Sequence, residues 1–229
     1  MKIPNDYQSP QTIEEAKAIQ QKLRSQVIKS DQLERVQFIA GVDAGFEDNY
    51  ALTKAAVAVF KFPELELVET AIATTPTCFP YIPGFLSFRE IPAILEALKK
   101  LTLEPHLICC DGQGIAHPRR LGIASHLGVL IDCPTIGVAK SRLVGSHQDV
   151  SLEKGSQQPL IDLQETVGVV LRTKDKVKPL YISVGHRISL ATAIHYVLKC
   201  TTKYRLPETT RIADQLASAK SKKNLKNIV

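Results

Sequence analysis

The segment Leu107-Ile-Cys-Cys-Asp-Gly112 is a four-residue, uniformly apolar run closed by a carboxylate and a glycine. A run without a polar side has to be covered on both faces, as a strand inside a layered sheet is. Downstream, a loop bearing Gly112 and Gly114 leads into a helix with the apolar stripe Ile123, Ala124, Leu127 and Leu130. Pro134 to Val138 then resumes strand character before Lys140 and Arg142. Upstream, Phe38 to Val42, Ala55 to Phe62 and Leu65 to Thr74 are β-rich runs separated by short polar segments, which predicts an antiparallel meander. Thr12-Ile-Glu-Glu15 has capping-box spacing, and Ala16, Ile19, Leu23 and Val27 continue it as an amphipathic first helix. A Pro/Gly-rich loop from Thr75 to Gly84 precedes a second helix marked by Ile91, Ile94, Leu95, Leu98 and Leu101. Val167 to Leu171 and Leu180 to Val184 form a late strand pair, followed by helices around Leu190 to Leu198 and from Pro207, a residue suited to a first helical turn. A meander followed by alternating strands and helices predicts an α/β domain with a mixed central sheet and helices on both faces. With no repeat or linker, a single domain is expected over residues 1–229, ending in a basic tail from about residue 215.

At 229 residues, with 44% hydrophobic and 23% charged side chains, the chain can bury a substantial core, which argues against disorder, collagen and disulfide scaffolds. The longest apolar runs, such as Ala55 to Phe60, are strand-sized and far below the roughly 20 residues a membrane span needs. Met1 to Asp31 has no apolar core of the kind a secretory signal carries, so none is expected. The five cysteines are odd in number, form no C-x-x-C pair, and include the adjacent Cys109 and Cys110. They read as buried, reduced thiols in a cytoplasmic protein. The formal charge is +6, and Lys220, Lys222, Lys223 and Lys226 supply +4 of it with no acid nearby. Such a tail either leans on phosphates or is a solvated end.

Three carboxylates fall at element ends: Asp43 after FIAGV, Glu90 at the start of the second helix, and Asp111 after LICC. If their strands are neighbours, Asp43 and Asp111 converge at the sheet edge where α/β folds place function. Acids so held do not all ionise without a partner, and a hard divalent cation such as Mg²⁺ suits oxygen ligands. Each acid also has a structural reading. Glu90, three residues after Ser87, has capping-box spacing, although Pro92 at the first helical position would leave Glu90 just outside the helix. Asp43 and Asp111 are also ordinary turn residues beside Gly45 and Gly112.

In Asp111-Gly-Gln-Gly-Ile-Ala-His117-Pro-Arg-Arg120, two glycines allow close approach of a ligand, and His117, Arg119 and Arg120 put donors beside it. The alternative is a strand-to-helix turn with solvated arginines. No Walker lysine, G-x-G-x-x-G or G-x-S-x-G occurs, so nucleotide-fold and serine-hydrolase readings lack their key residues. Pro80-Tyr-Ile-Pro83 holds an aromatic ring between two prolines, stiff enough either to wedge into a base stack or to pack on the core.

Five stretches, GVDAGF (41–46), PYIPGFLSFRE (80–90), DGQGIAHPRRLGIASHLGVLIDCPTIGVAKSRL (111–143), YISVGHRISL (181–190) and RLPETTRIAD (205–214), together resemble the endonuclease V family of repair nucleases, in family order and across most of the chain. The resemblance implies a ribonuclease H-like fold. It also implies cleavage dependent on Mg²⁺, with Mn²⁺ as a substitute, at the second phosphodiester bond 3′ to deoxyinosine in DNA, leaving 3′-hydroxyl and 5′-phosphate ends. Asp43, Glu90 and Asp111 fall on the family's catalytic, metal-holding acids, Lys140 on its active-site lysine and Tyr81 on its strand-separating wedge. Gly84, Leu86, Gly112, Gly114, His117, Gly122 and Ile123 fall on the segments of its hypoxanthine pocket. In such a pocket, glycine N–H donors would distinguish the 6-oxo group of hypoxanthine from the adenine amine.

Two positions depart from the family pattern. Asp214 stands where many bacterial relatives carry a histidine near the metal, and a carboxylate there is a harder ligand. Gln113 stands where His or Asn is often found. A monomer acting on inosine-containing DNA is the expectation, with inosine-containing RNA as an alternative substrate. A catalytically silent lesion-binding module is the competing class, although a mere binder has no reason to gather acids where phosphates lie.

Overall fold

The computed structural model describes residues 1–219, so the lysines of the expected basic tail lie outside the described residues. In chain order the elements are α1 (Ile13–Arg24), β1 (Phe38–Glu47), β2 (Leu52–Lys61), β3 (Glu66–Pro76), α2 (Ser87–Leu98), β4 (Leu107–Cys110), α3 (Ile123–Ile131), β5 (Thr135–Ala139), β6 (Gln157–Asp162), β7 (Glu165–Leu171), β8 (Leu180–His186), α4 (Leu190–Cys200) and α5 (Glu208–Ser218). The strands form one sheet in the order β3-β2-β1-β4-β5-β8-β7-β6. β1, β4 and β5 run parallel, and every other neighbouring pair is antiparallel. This is the mixed sheet of a ribonuclease H-like fold, and among the described residues no helix is long and apolar enough to cross a membrane.

Successive side chains of a strand point to opposite faces, so the central strands feed two cores. Ile39, Cys109 and Val138 pack with Val197 of α4 and Ile212 and Leu216 of α5. Ala40, Val42 and Cys110 pack with Ile94 and Leu98 of α2 and Leu127 of α3. The two adjoining cysteines therefore sit in different cores, and burial pushes the Cys109 thiol up to about 12.

The structure differs from the sequence expectations at several boundaries. α1 stops at Arg24, before Val27, and fully buries only Ala16 and Gln20. β6 escapes the alternation pattern because QQPLID is polar and carries Pro159, tolerable only at the sheet margin it occupies. Pro92 lies inside α2 rather than at its first position, and Glu90 is helical. Ser87 provides no cap, because its hydroxyl meets Nδ1 of the buried His126 at 3.0 Å. Pro207 stands one place earlier than expected, as the N-cap of α5, where its carbonyl accepts the Arg211 N–H.

α5 lies directly across β1. A Cβ added at Gly41 would stand 2.0 Å from the Thr209 carbonyl oxygen, so only a glycine lets the helix approach this closely. The contact also sets how near Asp214, further along α5, comes to Asp43 of β1. Gly41→Ala is expected to cost about 2 kcal/mol, or roughly 5 °C in Tm by thermal unfolding. An unchanged Tm would mean that α5 is not seated on β1.

Candidate active site

In the parallel register Val42 faces Cys110, and the Asp111 N–H donates to the Val42 carbonyl at 3.0 Å. The next side chains, Asp43 and Asp111, therefore leave neighbouring strands at one level. Asp43 is within β1 rather than at its end, because antiparallel pairing with β2 continues to Glu47. On the other side β4 stops at Cys110, and this leaves Asp43 beside an open edge. α5 brings Asp214 to the pair, and one oxygen from each of Asp43, Asp111 and Asp214 lies within 4.8 Å of the others. Glu90, only 8% exposed, faces the same acids from α2 but lies outside that trio.

The electrostatics follow from this crowding. Burial, and then the neighbouring Asp111, pushes Asp43 up to about 8. Glu90 is raised well above the usual range by burial and by Asp43 and Asp111. Asp111 is raised by burial, with Lys140 pulling the other way. Lys140 follows β5 directly, and its Nζ lies 2.5 Å from Asp111 Oδ2 and 2.8 Å from Asp214 Oδ1. Although partial burial opposes its charge, these two carboxylates hold its ammonium protonated well above the usual range. A set of three carboxylate oxygens with no nitrogen or sulfur donor suits a hard divalent cation.

Beside the acids opens a cavity of about 430 Å³, bordered by Glu90, Asp111, Lys140 and Tyr81. Gly84, Leu86, Gly112, His117, Gly122 and Ile123 also line it. Asp43 and Asp214 do not, and adjoin it through Asp111, which lies within 4.8 Å of both. Gly114 also stays out of the cavity. A Cβ there would stand 2.0 Å from the Val184 carbonyl, so its glycine serves close packing on β8.

The expected glycine donors are largely engaged elsewhere. The N–H of Gly112 bonds the Val138 carbonyl, that of Gly114 bonds Ser183 Oγ, and that of Gly122 bonds the Gly114 carbonyl. The N–H groups of Gly84 and Leu86 make no hydrogen bond among the described residues. His117 is buried, and burial followed by Arg119 pushes it down to about 4, so its ring is neutral. Its Nδ1 accepts from the Arg119 N–H at 3.2 Å, which places the proton on Nε2, 3.0 Å from the Gly84 carbonyl. The same carbonyl accepts from Gln20 Nε2 at 2.9 Å and Arg119 Nη2 at 2.6 Å. Tyr81, three residues before this latch, is 69% exposed at the cavity rim.

Two supporting residues were not singled out in the sequence. Gln20 links α1 to the Gly84 loop and to Arg119 Nε, and a polar residue on the apolar side of α1 was its only signal. Arg205 donates to the carbonyls of Lys140, Lys178 and Pro179, fixing the backbone that aims the lysine. Its position at the head of RLPETTRIAD was the available hint.

Residues 21–215 match the family model described as Endonuclease V. The endonuclease V of Rippkaea orientalis is 67% identical over 220 residues, covering 96% of each chain. The crystal structure of endonuclease V from Streptomyces avermitilis, 44% identical, superposes with a TM-score of 0.89 over 99% of both chains. That of Ciona intestinalis endonuclease V, in complex with a 24mer DNA containing an inosine followed by a ribo-adenosine, is 32% identical with a TM-score of 0.78, over 95% of this chain and 99% of that one.

Because Asp43 keeps its proton up to about 8 when folded, the metal-free protein loses stability as pH rises from the ordinary aspartate range through that value. Asp43→Asn removes this dependence. In chelator, the variant is expected to melt roughly 3 to 8 °C above wild type at pH 8, with the gap closing toward pH 4. Parallel Tm curves for the two proteins would refute this account of the cluster.

Proposed function

The chain belongs to the endonuclease V family and is a nuclease, and from that premise we propose that it nicks DNA at the second phosphodiester bond 3′ to deoxyinosine, leaving 3′-hydroxyl and 5′-phosphate ends. The observation that carries this reading is the convergence of Asp43, Asp111 and Asp214 beside a base-sized cavity with an exposed tyrosine at its rim. The inosine-bearing DNA held by the Ciona intestinalis protein supports the choice of lesion.

Asp43, Asp111 and Asp214 would hold Mg²⁺, or Mn²⁺ in its place, with Glu90 behind them. When bound, the cation supplies charge that activates water and offsets the charge developing on the phosphoryl group. Lys140, which the structure pairs with Asp111 and Asp214, would supply a fixed positive charge beside the developing anion. Tyr81, stiffened by Pro80 and Pro83, enters the base stack and holds the strands apart, and an inosine pair, weaker than a normal one, lowers the cost of extruding the base. The uncommitted N–H groups of Gly84 and Leu86 donate to the 6-oxo group of hypoxanthine and leave the adenine amine unmatched. Latched to Gly84, the neutral His117 forms an uncharged wall, and Gly112, Gly122 and Ile123 shape the rest of the slot. Every one of these groups comes from a single chain, so a monomer is the proposed working unit.

A second reading has inosine-containing RNA as substrate. It draws on the ribonucleotide that follows the inosine in the DNA held by the Ciona intestinalis protein. Matched RNA and DNA strands carrying one inosine, incubated with Mg²⁺, separate the two readings by rate, and DNA is expected to be cut faster.

Asp43→Ala is expected to reduce nicking of an inosine duplex to background while binding in chelator stays within about threefold of wild type. Nicking at the wild-type rate by this variant would end the proposal, as would a cut mapped opposite the lesion. Lys140→Met, which keeps the length and loses the charge, is expected to slow nicking by roughly 10² to 10³.

A further inference from the structure

Tyr81 borders two cavities. One is the slot beside the acids. The other, of about 570 Å³, shares Tyr81 with it and is lined by Phe46, Tyr50, Tyr81 and Arg89. We infer that this second cleft is a base-binding site that receives the nucleobase left unpaired opposite the lesion. The inference rests on the inosine-directed reading above.

The chemistry of the cleft is that of a stacking platform. The Arg89 guanidinium carbon lies 4.4 Å from the centroid of the Phe46 ring, 5.7 Å from that of Tyr81 and 6.0 Å from that of Tyr50. Phe46 and Tyr50 are themselves tilted neighbours with centroids 5.9 Å apart. Arg89 is 4% exposed, and its Nε is buried without a hydrogen-bond partner among the described residues. Burying a guanidinium N–H unpaired is costly, so the site is incomplete until an acceptor arrives. Every nucleobase offers a π face for the rings, and its ring nitrogens and carbonyls are acceptors for such a donor. Tyr50 is 68% exposed and sits in the β1–β2 turn with a φ of 69°, a backbone state an aromatic residue rarely adopts.

Continuity with the slot selects the occupant. Glu90 and Arg89 are consecutive on α2, one lining the slot and the other the cleft, and Tyr81 lines both. A ring entering a duplex at Tyr81 separates two partners. If the lesion goes to the slot, the base that faced it is the group delivered to the other side.

The test uses a duplex with 2-aminopurine opposite inosine, and a single strand carrying the same inosine. Tyr50→Gly removes the ring and suits the backbone, while Tyr50→Phe keeps the ring. With wild type in chelator, 2-aminopurine emission is expected to stay low, as for a stacked base. It should rise severalfold with Tyr50→Gly and return to the wild-type level with Tyr50→Phe. With Mg²⁺, Tyr50→Gly should lower the ratio of duplex to single-strand nicking roughly tenfold, since only the duplex has an opposite base. High emission in the wild-type complex, emission indifferent to Tyr50→Gly, or duplex and single-strand nicking falling in equal proportion would each overturn the assignment. If wild type nicks neither inosine substrate, the inosine reading fails instead, and the emission arm, which reads binding alone, still decides the cleft.

Discussion

Two carboxylates at one level on neighbouring parallel strands, both withdrawn from water, repel each other and resist ionisation, and much of this molecule is arranged around that constraint. The short β4 strand ends where Asp111 must emerge, while β1 runs on past Asp43, supported from its other side by β2. Gly41 lets α5 close over β1 and add a third acid, and β5 delivers Lys140 as the local counter-charge. Without a cation the arrangement works against folding. With one bound, the same geometry becomes a ready-made set of hard ligands, so the cost carried by the free protein measures its readiness to bind metal.

The slot beside the acids depends on a different device. Its wall is the loop that carries Tyr81 and Gly84, which has little secondary structure of its own. What fixes it is a single carbonyl oxygen, on Gly84, held by Gln20 from α1 and by His117 and Arg119 from the loop after β4. Arg119 also stacks on Phe85, 4.1 Å from the ring centroid, and Phe85 joins Phe79, Phe88 and Ala16 in a small core beneath the loop. Burying a side chain the size of Phe88 contributes about 3 kcal/mol, so this satellite core anchors the loop as firmly as its hydrogen bonds do.

Much of this was legible in the residues. LICC, with no polar face, could only be an interior strand, and its pairing beside FIAGV brings Asp43 and Asp111 together. What failed was local. Pro92 favours a helix start by its residue type, yet tertiary packing carries α2 through it, since a buried apolar face outweighs one lost hydrogen bond. β6 had no alternation to read, because a marginal strand with polar residues and a proline has no core of its own to face. The glycines after Asp111 suggested donors to a ligand, but sequence cannot reveal which N–H groups the fold has already used, and those of Gly112 and Gly114 are taken by Val138 and Ser183. Gln20 and Arg205 act across 64 and 65 residues of chain, on Gly84 and Lys140, and no local pattern encodes such reach.

The shared carbonyl of Gly84 has a bearing on heredity. Three side chains from two distant parts of the sequence, α1 and the loop after β4, converge on an atom with only two lone pairs, so each is placed partly by the other two. A change at any one of them strands its companions, and selection on the slot therefore acts on the group. Gln20, His117 and Arg119 should accordingly pass down lineages as a unit, altering together or not at all.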